Sequence, residues 1–463
     1  MKVSLITLGC DKNTVDSERY LAQLIDHGAI VVADAADAEV IIVNTCGFID
    51  AAKRESIDAI VAAGRMKSEG SATAVVAVGC MIERHKDELM AALPEVDLFL
   101  GASETEQLLP LLRARGLVGD PVTEHPGVRV HAGATPFVRY LKVSEGCDHG
   151  CAFCAIPLMR GKHRSFGRDE IVREAQLLEL QGAREVNLVA QDLAHYGRDR
   201  RDGVRLPELL ESLLADTAIP WLRNMYLYSA GITPRLLEVI AGQPRILRYL
   251  DMPIQHASDS VLERMRRPER ERTIREKVAR FRDAVPGVAI RTTCIVGFPG
   301  ETEDDVKKLL GFLEEIQFER VGVFTYSPQE GTRGAELADD VPETLKRERL
   351  EAVQELQRHI TAERYESRVG TQAEALVIDA AGADGVATAR LAWQADDIDG
   401  VTRLATDAPP GAILEVEVTE VVDDYDFTAR AIREVSRLAA VERAPARSRE
   451  LPMISVGGGS FGR

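Results

Sequence analysis

Cys147, Cys151 and Cys154 stand in a C-x₃-C-x₂-C run directly behind the apolar stretch Phe137–Val143, and this triplet limits the fold more than any other feature of the 463-residue chain. Three closely spaced thiols behind an apolar strand converge on one loop. Soft sulfur donors select iron–sulfur clusters, zinc or copper(I). A four-iron cubane held by three cysteines keeps one iron open to a further ligand, whereas a structural zinc site is closed by four ligands. The triplet therefore predicts a 4Fe–4S cluster with an open iron. A zinc knuckle completed by His149 or a distant thiol is the alternative reading of the same spacing.

The chain is too long for one ordinary core, and roughly three domains fit its length. Its 45% apolar and 28% charged residues are those of a globular protein. It has no run of apolar residues long enough for a membrane span. The N-terminus passes straight into a strand pattern without the shape of a signal peptide. With seven cysteines, this predicts a reducing cytoplasm where thiols serve metal or catalysis. A net charge of −17 disfavours a nucleic-acid backbone as the main partner and favours a basic one.

The first 118 residues repeat a strand–helix pattern. Val3–Leu8 runs into Gly9-Cys10, Val40–Asn44 into Thr45-Cys46, and Ala74–Val78 into Gly79-Cys80, with helical stretches near Ser17–His27, Arg54–Ser68 and Arg84–Ala92. Alternating βα units predict a parallel sheet with right-handed crossovers. Sites in such sheets gather beyond the carboxyl ends of the strands. Cys10, Cys46 and Cys80 are therefore expected at one edge as a second three-thiolate cluster. Burial as small core residues is the bland alternative.

Residues 133–364 read as six βα units, with strands at Phe137–Val143, Val186–Ala190, Asn224–Leu227, Leu247–Asp251, Ala289–Val296 and Val321–Phe324. Six units predict an open partial barrel with a lateral mouth, its site at the strand carboxyl ends. Gln191-Asp192, Tyr228-Ser229, Gln255-His256, Gly297 to Thr302 and Tyr326-Ser327 follow those strands. Gln191, Gln255 and Gly297 are candidate cofactor contacts, since glycine lets backbone amides approach a ligand. The plainer readings are a satisfied loop histidine at His256 and helix-terminal anions at Asp192, Glu301 and Asp304-Asp305. Cys294 reads as core packing.

Residues 367–434 carry short strands at Glu374–Ile378, Gly385–Leu391, Gly411–Val416 and Glu417–Val422, which predict a small antiparallel β-barrel. From Arg368 to Arg430 there are 13 acidic residues against four arginines and no lysine. Such a barrel should repel RNA and attract a basic protein. Asp423-Asp424-Tyr425-Asp426-Phe427 interleaves acids and aromatics as a docking surface would; a solvated acidic face is the alternative. Residues 435–463 are Arg-, Pro- and Gly-rich and are expected to lack a core.

The loop Gly146-Cys147-Asp148-His149-Gly150-Cys151-Ala152-Phe153-Cys154-Ala155-Ile156-Pro157 resembles that of radical S-adenosylmethionine (SAM) enzymes. Leu8-Gly9-Cys10-Asp11-Lys12-Asn13, Val43-Asn44-Thr45-Cys46-Gly47-Phe48-Ile49-Asp50, Ile156-Pro157-Leu158-Met159-Arg160-Gly161 and Ile295 to Glu303 resemble the methylthiotransferases among them, and the C-terminal barrel resembles a TRAM domain. The resemblance covers about 430 residues. Phe166, where relatives usually carry arginine, and Cys294, where an aromatic is common, depart from it. It implies two 4Fe–4S clusters, on Cys10, Cys46 and Cys80 and on Cys147, Cys151 and Cys154, with SAM as radical source and methyl donor and Phe153 near its adenine. It also implies methylthiolation of an aspartate β-carbon in the S twelve protein of the small ribosomal subunit, with a donor such as a flavodoxin. Asp11-Lys12-Asn13 and Gly47-Phe48-Ile49-Asp50 distinguish that branch from its tRNA-adenosine-modifying relatives, which remain the nearest rival. An iron–sulfur redox sensor and a zinc-stabilised scaffold are the other two.

Overall fold

The computed structural model describes residues 1–70, 72–122, 129–133 and 135–437. The tail expected to lack a core lies, from residue 438 on, outside the described residues. Strands β1 (Lys2–Thr7), β2 (Ile30–Val31), β3 (Val40–Thr45), β4 (Ala74–Gly79) and β5 (Leu98–Gly101) form a parallel sheet in the order β2-β1-β3-β4-β5. Helices α1 (Asp11–Asp26), α2 (Asp50–Ser68), α3 (Cys80–Ala92) and α4 (Leu108–Ala114) connect or follow them. Alternate residues of β3 explain its unbroken apolar run. Val40 and Ile42 pack with Leu21, Leu24 and Leu108, while Ile41 and Val43 pack with Ile60, Ile82 and Leu89. Both faces are covered, so no alternation is visible in sequence. The sequence reading finds the three inner strands and misses β2 and β5, which are short and lie at the edges.

The next strands are β6 (Val138–Lys142), β7 (Ser144–Glu145), β8 (Arg164–Ser165), β9 (Glu185–Val189), β10 (Trp221–Asn224), β11 (Tyr249–Asp251), β12 (Ala289–Val296) and β13 (Arg320–Thr325). Six of them are parallel, in two sheets ordered β10-β9-β6 and β11-β12-β13, which meet at a parallel bridge between Leu222 and Ile246. The expected open barrel is this array. Helices α5 (Ile156–Arg160), α6 (Arg168–Leu180), α7 (Leu206–Asp216), α8 (Pro234–Gly242), α9 (Asp259–Arg264), α10 (Glu271–Ala284), α11 (Glu303–Ile316) and α12 (Glu343–Glu366) accompany it. The third strand is displaced from its expected place. It ends at Asn224, and Met225–Leu227 form the segment leaving it.

The C-terminal strands β14 (Gln372–Asp379), β15 (Val386–Leu391), β16 (Thr402–Ala405), β17 (Ile413–Val422) and β18 (Asp426–Ser436) close a barrel in the order β14-β15-β16-β18-β17. One pair, β16 with β18, is parallel, which corrects the wholly antiparallel expectation. The two strands expected from Gly411 to Val422 are the single strand β17. Phe427 is fully buried, Tyr425 holds Arg320 3.7 Å over its ring, and Asp424 pairs with Arg358 at 3.2 Å. The aromatics of the expected docking cluster therefore serve packing, while several of its acids stay exposed.

This small barrel seats on the amino ends of the central strands. Trp221 Nε1 donates to Glu374 at 3.0 Å, Tyr249 Oη to Asp399 at 2.6 Å, and Arg320 to the Ile398 carbonyl at 2.7 Å. Leu376, Ala395 and Ile413 join Phe137, Val138, Trp221 and Tyr249 in one apolar cluster. At its centre, fully buried Glu185 accepts from Arg223 at 2.7 Å and Arg390 at 2.6 Å. Burial pushes that carboxyl up, but the two guanidinium groups outweigh burial and hold it below its ordinary range. Glu185→Gln leaves two buried cations short of a partner and should cost about 3–5 kcal/mol in denaturant unfolding. Glu417→Gln, which removes an exposed pair with Arg430, should barely move the midpoint.

Candidate functional site

The carboxyl edge of the N-terminal sheet delivers three thiols. Cys10 caps α1, Cys46 follows β3, and Cys80 opens α3. Glycine is needed before two of them. Gly9 has φ +93, and a Cβ there would meet Cys46 Sγ at 2.9 Å; Gly79 has φ +103, and a Cβ there would meet the Thr45 carbonyl at 2.7 Å. The three chain turns thus press together. Ser56 Oγ anchors the Cys46 amide at 3.0 Å, and Asn13 donates to the Leu8 and Thr45 carbonyls at 2.7 and 3.1 Å. Cys10 is exposed and the other two buried. Burial, then the Cys10 thiol, pushes Cys46 up to about 12, and burial pushes Cys80 up to about 11 against the pull of Arg160. Cys10 and Cys80 both raise Cys46, so the three sulfurs share one electrostatic neighbourhood.

The second trio sits on the loop between β7 and β8, whose strands pair antiparallel and close its base. The loop is tied down by Cys147 N–H to the Gly161 carbonyl at 3.1 Å, Ala152 N–H to Met265 at 2.9 Å, and Gly334 N–H to Ala152 at 2.7 Å. All three thiols are partly exposed. Burial pushes Cys147 up to about 11 and Cys154 up to about 12, with Cys151 adding to both. Such thiols ionise together only beside a multivalent cation, so both donor sets fit iron–sulfur clusters. Among the described residues the one set of three ligand atoms within 4.8 Å of one another is His149, Asp192 and His195.

One arginine attends each trio. Arg160 Nε lies 3.0 Å from Cys80 Sγ, and Arg267 Nη1 lies 3.7 Å from Cys151 Sγ while stacking 4.0 Å over Tyr228. Arg160 also binds Asp16 at 2.7 Å, Glu145 at 3.2 Å and the Asn13 side-chain oxygen. Lys142 bonds the same two carboxylates. Burial would raise the Asp16 carboxyl; Lys142 and Arg160 overturn this and hold it at about 2. A second buried cluster, Glu18 with Arg129 and Arg139, joins α1 to β6. The cysteine edge of the first sheet therefore rests on the carboxyl mouth of the open barrel.

Polar groups line that mouth. Asp192 accepts from the Tyr228 amide at 3.2 Å and lies 2.7 Å from His149, which stacks on Tyr228 at 4.1 Å. Gln191 donates to Glu145 at 2.6 Å, while its Oε1, both polar atoms of Asn224 and the Tyr326 hydroxyl are buried without a protein partner. Gln255 (φ +72) and Tyr226 (φ +59) take left-handed backbone at strand ends, a strain that clusters at ligand sites. Phe153 packs with Val261, Met265 and Phe298. Orphaned donors and acceptors beside the Cys147 trio suit a polar cofactor such as SAM. Gly297 differs: its N–H is taken by Glu301 at 2.9 Å.

Other expectations meet plain packing. His256 is fully buried; its Nδ1 accepts from the Ser258 amide at 2.9 Å, while its Nε2 lies 3.5 Å from Glu301 without a hydrogen bond, so the satisfied-histidine reading holds for one ring nitrogen only. Glu301 is no helix-terminal anion; it bonds Gly297 and Arg349. Asp305 completes a capping box with Thr302. Cys294 is core, its thiol pushed up to about 12 by burial. Phe166, where the resemblance has arginine, receives Arg19 and Arg164 on its ring. The sequence reading gave no site role to Arg160, Arg267, Asn224 or Lys12, although Lys12 stands in its branch-distinguishing Asp11-Lys12-Asn13. Arg160 lay inside a quoted motif, and Asn224 was placed at the wrong end of its strand.

Residues 2–101 match a family described as "Uncharacterized protein family UPF0004", and residues 141–313 match the "Radical SAM superfamily". A protein of Anaeromyxobacter sp. (strain Fw109-5) named "Ribosomal protein uS12 methylthiotransferase RimO" is 45% identical, covering 96% of each chain. The like-named protein of Myxococcus xanthus is 42% identical over 92% of this chain and 91% of its own. Among solved structures, the radical SAM methyltransferase TsrM of Kitasatospora setae with cobalamin and a [4Fe-4S] cluster has a TM-score of 0.52 at 16% identity, covering 73% of this chain and 78% of its own. At that identity the likeness shows the fold alone.

Two outcomes follow from the geometry. Cys46→Ala should halve the iron of the anaerobically reconstituted protein and leave the Cys147 loop loaded. The Asp16 carboxyl is held at about 2 against an ordinary 3.8. A lowered carboxyl stabilises the fold above its unfolded value and ceases to do so as pH falls toward the folded one, here about 2 kcal/mol. The stability gap between wild type and Asp16→Asn should therefore close on acidification from pH 4 towards pH 2, about the span of that shift.

Proposed function

Since the chain belongs to the family of ribosomal protein uS12 methylthiotransferases, we propose that it replaces a hydrogen on the β-carbon of an aspartate in that ribosomal protein with a methylthio group. The observation that carries this reading is that Arg160, at the end of the helix leaving the Cys147 loop, bonds Cys80 of the other trio and joins the two cysteine-bearing units. We assign Cys147, Cys151 and Cys154 to the cluster that binds SAM, and Cys10, Cys46 and Cys80 to an auxiliary cluster that carries the inserted sulfur. When bound, these groups supply one-electron cleavage of SAM, hydrogen abstraction from an unactivated C–H bond, and delivery of sulfur and methyl.

The protein's part is positioning and electrostatics. Arg267 places a positive charge at the Cys151 sulfur, and Arg160 does so at Cys80. Phe153, Gln191 and Gln255 are the proposed SAM contacts, and the unpaired Oε1 of Gln191 supports that role. Gly297 shapes its turn while Glu301 holds its amide. Asp192 orients His149 and, through the Tyr228 amide, the segment leaving β10.

The acidic barrel is the proposed attractor of the basic substrate. It sits at the amino ends of the strands, so it would steer the encounter over distance and leave the reacting segment to the opposite mouth. A flavodoxin-type donor fits the need for single electrons. No helix of the described residues is long and apolar enough to cross a membrane, and a cytoplasmic site is part of this proposal. The proposed units are 1–118, 133–364 and 367–434, although β18 runs on to Ser436.

Intact-mass analysis of uS12 incubated with reconstituted enzyme, SAM and reductant should show a methylthio group in place of one hydrogen. Purified tRNA treated alike should be unchanged, and Cys151→Ala should form no deoxyadenosine. Modified tRNA beside unmodified uS12 would overturn the assignment.

A further inference from the structure

Lys12 follows Cys10 by two residues, and its environment sets it apart. Among the described buried lysines and arginines, Lys12 alone has neither a carboxylate within 4 Å nor a hydrogen-bond acceptor. Lys142, its counterpart across the junction, is saturated by Asp16 and Glu145. Lys12 is 7% exposed, with its ammonium 3.1 Å over the centre of the Tyr226 ring. An aromatic face holds a cation without neutralising it. A desolvated, uncompensated ammonium is costly unless an anion joins it.

The support beneath Lys12 is fixed in place. The Tyr226 hydroxyl donates to Asp11 at 2.9 Å, its amide donates to Asp251 at 3.2 Å, and its carbonyl receives the Leu193 amide at 2.9 Å. Tyr226 holds the left-handed φ of +59 that aims its ring at the auxiliary trio. Two residues on, Tyr228 stacks on His149 of the other trio's loop. One short segment thus reaches both sites, and its Tyr226 ring carries the unpaired ammonium of a residue two positions from Cys10.

We propose that Lys12 binds the side-chain carboxylate of the target aspartate and makes the chamber selective for an anionic residue. This rests on the reading of the chain as an aspartate methylthiotransferase. The carbon that reacts is directly bonded to that carboxylate, so the charge must enter the chamber with it. Of the other cations at this junction, Arg160 and Lys142 are committed to Asp16 and Glu145, Arg291 to Asp251 and Arg267 to Glu269, while Arg84 is held by the Gly47 and Glu330 carbonyls and the Gln329 side chain. Asp11 stays on the Tyr226 hydroxyl, leaving the ammonium free for the incoming anion.

The test uses the full-length, anaerobically reconstituted enzyme with SAM and no reductant, so that binding is read without turnover. Two labelled uS12 peptides serve as probes, one with the target aspartate and one with asparagine there. Wild type should bind the aspartate peptide more tightly. Lys12→Met should weaken that peptide about 10- to 100-fold, the loss of one charge-assisted pair, and leave the asparagine peptide unchanged. Lys12→Arg should restore most of the preference, and all variants should load wild-type iron. If Lys12→Met fails to load iron, Lys12→Gln takes its place. Equal weakening of both peptides, or an unchanged preference, overturns the proposal. With reductant added, a wild type that cleaves SAM yet never modifies the aspartate peptide sinks the aspartate reading and this inference with it. A working wild type beside an equally selective Lys12→Met sinks the inference alone.

Discussion

The guanidinium of Arg160 is the contact on which the arrangement of this protein turns. It is 3% exposed and touches Cys80, Asn13 and Asp16 of one sheet and Glu145 of the other. Burial opposes its charge, yet Asp16 and Glu145 hold its pKa well above the ordinary value. A buried cation with matched carboxylates is bound to one geometry, because removing any partner strands the rest. Arg160 also ends the helix that leaves the Cys147 loop. The same side chain therefore ties the helix leaving the Cys147 loop to Cys80 of the other trio.

The opposite end of the central array is closed by different means. There the small barrel supplies Leu376, Ala395 and Ile413 to an apolar cluster and Arg390 to the buried carboxylate of Glu185. Two domains thus clamp one open barrel at its two ends, one building a chamber and the other sealing the floor. Division of labour follows from strand polarity: in parallel βα units the carboxyl ends present loops that can vary, while the amino ends present short turns suited to packing. The acidity of the small barrel is left for long-range attraction, since its aromatics Tyr425 and Phe427 are spent on Arg320 and on its own core.

Several features were legible in the residues because they depend on local chemistry. The C-x₃-C-x₂-C loop, the Gly-Cys pairs behind β1 and β4, and the acidic first turn at Asp304-Asp305 each need particular side chains at particular spacings. Asn224 shows where that legibility stops. Its strand was read three residues late, because the apolar Met225 and Leu227 that follow it pack beneath the mouth without being strand. The burial of Lys12 and Arg267 was likewise silent, although Lys12 stands in a branch-distinguishing motif: an ionic side chain looks solvent-facing until the fold shows what lies against it.

Sequence alone determined the parallel units, the six cysteines at strand ends and the excess of acid near the C-terminus, since apolar runs, glycine turns and charge are properties of short stretches. Tertiary structure alone decided that Arg160 ties Cys80 to the helix behind the Cys147 loop, that the acidic barrel lies on the far side, and that Lys12 stands unpaired over Tyr226. Each of these joins residues separated by tens to hundreds of positions, and such contacts arise only from packing and the balancing of buried charge between domains.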